Sequence, residues 1–89
     1  MGEKMRTLIV FDRIAEAATL KEKVEKIIGG DVEVQSDTSS ALHNCSIQHY
    51  DLMFVEKFLP NFTGYEFSSM VRSISHNVNV PIFVLPGVN

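Results

Sequence analysis

The stretch Asp51–Glu66, DLMFVEKFLPNFTGYE, decides how this chain is read. Leu52, Met53, Phe54 and Val55 are an unbroken apolar run, too short for a helix and without alternation. Such a run is a strand buried on both faces. It ends on Glu56, so a carboxylate stands at the strand's C-terminal tip. A loop with Pro60, Asn61 and Gly64 follows, then a helical pattern. Open α/β sheets carry their chemistry at the carboxyl ends of their strands, which places Glu56 where function is usually built.

Working outward, Thr7–Phe11 is a second short apolar run and ends at Asp12, while Met1 to Lys4 reads as a loose tail. Leu20, Val24, Ile27 and Ile28 then share one stripe at helical period, with Glu22 and Lys26 spaced as a favourable pair on the polar side. Gly29 and Gly30 end that helix. Val32 and Val34 alternate with Glu33 and Gln35, the mark of a half-buried edge strand. Asp37 is an N-cap candidate for a weaker helix reaching His49, with Ala41, Leu42 and Cys45 on its apolar side. After the central strand and its loop, Phe67, Met70, Val71 and Ile74 give a third helical stripe. Ser73–Asn79 is polar and turn-like, and Val80–Leu85 is a fourth strand broken by Pro86-Gly87. The order β-α-β-α-β-α-β predicts one domain, residues 1–89, with a parallel sheet.

Composition narrows the function classes. The chain has 89 residues, a net charge of −3 and one cysteine. Mild acidity argues against nucleic-acid binding, which uses a basic face. No apolar run reaches the length of a membrane helix. With Cys45 unable to pair internally, a reducing cytoplasm is the expected location.

The central stretch resembles the third strand of response-regulator receiver domains, D-L-x-L-x-D-x-x-M-P-x-x-x-G. Asp51, Leu52, Pro60 and Gly64 keep that spacing, and Glu56 stands where the family's phosphoacceptor Asp would be. The resemblance implies a three-layer, flavodoxin-like α/β fold with strand order 2-1-3-4, lacking the family's last helix-strand-helix. In a 2-1-3 sheet the strands ending in Asp12 and Glu56 are neighbours, so two carboxylates are expected to meet in an acidic pocket. The family's magnesium site would map to Phe11, Asp12, Glu56 and the backbone carbonyl of Phe58. One acid of that set is replaced by a phenylalanine, so no cofactor is expected, with magnesium on Asp12, Glu56 and the Phe58 carbonyl the weaker alternative. The family's switch hydroxyl maps to Pro86, which has neither hydroxyl nor N–H. Its Lys would end a fifth strand, and Lys57 is not a substitute, because neighbours on a strand point to opposite sides.

These departures favour a pseudo-receiver: a phosphorylation-independent protein-interaction module in signalling, without enzymatic activity. The alternatives are a receiver that takes phosphate with magnesium, and a small carboxylate–magnesium phosphotransfer enzyme. Glu56 as an imitation of the phosphorylated state is disfavoured, since phosphate carries nearly two charges and three acceptor oxygens. His43, Cys45 and His49 fall short of the four ligands of structural zinc, and His76 is expected to be solvated. Two apolar surfaces remain. Phe58, Leu59 and Phe62 form either a cap on the sheet or a contact surface. Ile82, Phe83, Val84 and Leu85 form an edge strand apolar on both faces, expected to pair with a protein partner, a homodimer first.

Overall fold

The computed structural model describes residues 4–74 and 77–86. Its elements are β1 (Arg6–Val10), α1 (Ile14–Ile27), β2 (Asp31–Gln35), α2 (Thr38–Ile47), β3 (Leu52–Glu56), α3 (Gly64–Arg72) and β4 (Ile82–Leu85). The strands form one sheet in the order β2-β1-β3-β4, parallel throughout. Alternate side chains of a strand point to opposite faces, and the core divides accordingly. Leu8, Val10, Met53 and Val55 meet Ala41 and Cys45 of α2 and Phe67 and Val71 of α3 on one face. Ile9, Phe11 and Val32 meet Ala17 and Val24 of α1 on the other.

Local chemistry sets the helix starts. Asp37 accepts hydrogen bonds from the backbone N–H and hydroxyl of Ser40, both at 2.9 Å, which caps α2. The Ser40 amide also holds the Asp37 carboxyl below its usual range. Thr63 and Glu66 cap α3 reciprocally: the Thr63 hydroxyl accepts from Glu66 N–H at 3.1 Å, and the Glu66 carboxylate accepts from Thr63 N–H at 2.9 Å. Gly29 and Gly30 have φ of +80° and +81°, a region that favours glycine.

Several boundaries differ from the sequence reading. β1 runs one residue earlier, α2 stops at Ile47 rather than His49, and β4 begins at Ile82 rather than Val80. Ile27 and Ile28 are not on the buried stripe of α1: Ile27 is 82% exposed and Ile28 39%. Leu20 and Val24 do pack inward, with Ala17 completing the stripe. The segment after α3 is not uniformly solvated. Asn77 is 1% exposed; its side-chain oxygen accepts from Tyr50 N–H at 2.8 Å and its amide donates to the carbonyls of Cys45 and Gln48 at 2.7 and 2.9 Å. His76, Gly87 and the residues Met1 to Glu3 lie outside the described residues.

Glu33 alternates with the valines of β2. It is half-buried and anchors a polar network, accepting from Tyr50 OH at 2.9 Å, Asn44 Nδ2 at 2.6 Å and Gln35 Nε2 at 3.0 Å. Burial, reinforced by this carboxylate, pushes the Cys45 thiol from 9.0 up to about 11 and raises the Tyr50 phenol well above its ordinary 10. Both groups keep their protons in the folded chain at a pH where the unfolded chain has released them. Their contribution is complete below pH 9 and is lost as pH rises, through about 11 for Cys45 and higher for Tyr50. Urea unfolding is expected to shift to lower midpoints across this window, less steeply for Cys45→Ala. Stability that stays level through it would contradict this account.

Candidate functional site

The site is built at the C-terminal edge of β1 and β3. These strands pair with Val10 opposite Val55, so Asp12 and Glu56 leave the sheet side by side. The contact differs from the expected one. Glu56 is 4% exposed, and its Oε1 accepts a hydrogen bond from the backbone N–H of Asp12 at 3.1 Å, while the Asp12 side chain stands in solvent. The amide of Asp12, not its carboxylate, is what reaches Glu56. A buried carboxylate needs such a donor, whereas a second carboxylate would repel it.

The loop after Glu56 is closed on itself. Leu59 N–H donates to Phe62 carbonyl at 2.9 Å and Gly64 N–H to Lys57 carbonyl at 2.6 Å, giving a short antiparallel bridge between Phe58 and Thr63. Lys57 N–H in turn donates to Leu85 carbonyl at 2.8 Å, which ties the tip of β3 to the end of β4. The start of α3 is pressed against this tip. A β-carbon on Gly64 would lie 2.6 Å from the Glu56 carbonyl oxygen and 2.9 Å from Val84 Cγ1. That close approach is the physical reason for glycine at a position first noticed for its spacing alone.

The other expected site residues separate into distinct roles. Lys57 Nζ lies 5.3 Å from the centre of the Phe58 ring, an exposed cation–π contact. Leu59 is a core residue under the sheet tip, Phe62 is half-buried, and Phe58 is 63% exposed. Pro86 lines a shallow groove with Phe11, Leu20 and Leu85, on the α1 side of the sheet. Phe11 itself is buried in the α1 core. His43 and His49 are exposed while Cys45 is buried, and the described residues contain no group of three or more His, Cys, Asp or Glu placed to hold a metal.

Magnesium needs hard oxygen ligands in a near-octahedral set. Here Phe11 supplies a ring in place of a carboxylate, and one Glu56 oxygen is already engaged by Asp12 N–H. Relative to the family's ion site, one carboxylate is missing and a second is partly engaged.

Set beside known structures, this arrangement finds close counterparts. A CheY-like response-regulator receiver domain from Methylobacillus flagellatus superposes with a TM-score of 0.87 and 27% identity, covering 97% of this chain and 72% of that one. The chain is a receiver-type domain. A sensor protein from Polaromonas sp. JS666 matches the receiver with a TM-score of 0.83 and 26% identity over 93% of this chain and 66% of its own. In sequence, the receiver is 35% identical over 85 residues to the sensor protein EvgS of Escherichia coli K12. Those residues are 96% of this chain but 7% of EvgS. No family model matches the chain. Its four parallel strands and three helices are the receiver fold short of its last elements.

The sequence reading missed Asn77, Glu33 and the Thr63–Glu66 cap. The last had a signal in the T-x-x-E spacing before an apolar stripe. The first two had none, since the burial of each arises from elements distant in sequence.

Proposed function

We propose that this receiver works without phosphorylation, as a cytoplasmic protein-interaction module in two-component-type signalling that catalyses no reaction. The observation that carries this reading is Glu56, a buried carboxylate with an oxygen committed to Asp12 N–H. Accepting a phosphoryl group requires a carboxylate oxygen free to attack in line, and donors aimed at the charge on the group being transferred. Glu56 is also one methylene longer than the Asp of the resembling family, which displaces its oxygens from that family's geometry. Pro86 offers no hydroxyl or N–H at the switch position, and Lys57 is turned toward Phe58.

The test is intact-mass spectrometry after incubation with acetyl phosphate and magnesium. No gain of one phosphoryl mass is expected, either for the natural chain or for Glu56→Asp, since restoring the shorter acid leaves Pro86 and Phe11 in place. Stoichiometric labelling of the natural chain that disappears in Glu56→Ala would falsify the proposal. Rapid labelling of Glu56→Asp would show that residue 56 alone blocks the chemistry.

A further inference from the structure

We infer that Asn44–Tyr50, the last turn of α2 and its link to β3, is a strap clasped from two sides by Glu33 and Asn77, and that both clasps open in one local event. The strap leads into the first residue of β3. It lies at the opposite end of that strand from Glu56, and the inference is independent of whether Glu56 takes phosphate.

The usual means of holding a helix end are missing here. With ten residues, α2 is too short to stand on its own propensity. Its last turn has no basic residue to meet the carbonyl end of the helix. Gln48, its C-cap, is already extended, with φ −146° and ψ 157°. The carbonyls of Cys45 and Gln48 instead share one donor, Asn77 Nδ2, at 2.7 and 2.9 Å. The N–H of Tyr50 donates to Oδ1 of the same side chain at 2.8 Å. A single asparagine on the far side of α3 therefore caps this helix.

Glu33 grips the same segment from β2. Its Oε1 accepts from Tyr50 OH at 2.9 Å and from Gln48 Nε2 at 3.3 Å, and its Oε2 accepts from Asn44 Nδ2 at 2.6 Å. Gln48 Nε2 also donates to Tyr50 OH at 2.9 Å, which closes the network. Both clasps thus hold Gln48 and Tyr50, Asn77 by their backbone and Glu33 by their side chains. Neither residue can swing out without breaking bonds of both sets. Members of one such network are energetically coupled, so weakening one clasp weakens the other. Cys45 and Tyr50 are fully buried in the core beneath α2 and leave it with the strap.

Cys45 is the one cysteine of the chain, so it reports the opening. A buried, protonated thiol reacts with N-ethylmaleimide only once it is uncovered. Exchange of the Tyr50 N–H with deuterium reports loss of the Asn77 clasp. In the natural chain, labelling and exchange are expected to give one opening constant. It should exceed the global unfolding constant and stay level at low urea, because a local opening exposes little surface. Glu33→Gln keeps the shape but removes the charge behind three bonds to the strap. It is expected to raise both rates together, about tenfold, the difference between charged and neutral acceptors. The Tyr50 N–H bonds to Asn77 and not to Glu33, so its response measures the coupling. Labelling and exchange that follow global unfolding in the natural chain overturn the inference. So does a Glu33→Gln variant whose Tyr50 N–H exchanges at the natural rate.

Discussion

Gly64→Ala is expected to lower the stability of the chain by about 2 kcal/mol, although alanine is the better helix former by about 1 kcal/mol. The sign is decided by what the added methyl meets. At 2.6 Å its first neighbour is the carbonyl oxygen of Glu56, and at 2.9 Å its second is Val84 Cγ1. The first is backbone, held by the β3 ladder, and cannot rotate aside. Relief therefore means moving α3 outward, which opens the contacts of Phe67 and Val71 with the sheet. Overpacking of this kind costs roughly 1–3 kcal/mol, and the lost core contact adds to it. Urea unfolding measures the change. A variant as stable as the natural chain would mean that α3 is not anchored on the tip of β3.

Asn77→Ala is expected to cost more, about 3 kcal/mol. Its three hydrogen bonds reach Tyr50 N–H, Cys45 carbonyl and Gln48 carbonyl, so one side chain closes the end of α2 and the entry to β3. Truncation strands one buried donor and two acceptors, each at roughly 1–3 kcal/mol if water cannot reach it. Asn77→Asp sharpens the test. It keeps an acceptor for Tyr50 N–H but turns both donors into a carboxylate facing carbonyl oxygens, and is expected to be at least as damaging. For a chain of this size, total stability is about 5–13 kcal/mol, so either variant removes a large share. Thermal or urea unfolding within 0.5 kcal/mol of the natural chain (about the range of an ordinary surface change) would refute the assignment.

The sheet was legible because its strands announce themselves. The runs at Leu8–Val10 and Leu52–Val55 are apolar without alternation, as strands covered on both faces must be, and the alternating Val32 and Val34 mark the edge strand β2. Helical periodicity placed all three helices but misjudged their ends and part of one stripe. Ile27 fits the stripe of α1 by angle, yet it is 82% exposed, and periodicity carries no information about where a partner surface ends. The candidate site was half legible. The neighbourhood of Asp12 and Glu56 follows from strand order, whereas the bond between them uses a backbone amide, which every residue except proline carries. Asn77 was opaque for a related reason. An asparagine in a polar turn and one that bridges two buried segments are the same letter.

Because every strand pair here is parallel, the sheet contains no hairpin. Arg6 finds its partner at Asp31 and Thr7 finds Leu52, each only after an intervening helix has been spanned. Loop-closure entropy is therefore met before the first ladder bond is made. Such a chain has no local seed for its sheet. β1, which pairs on both sides, is made before β3 and waits for it before its second edge is covered.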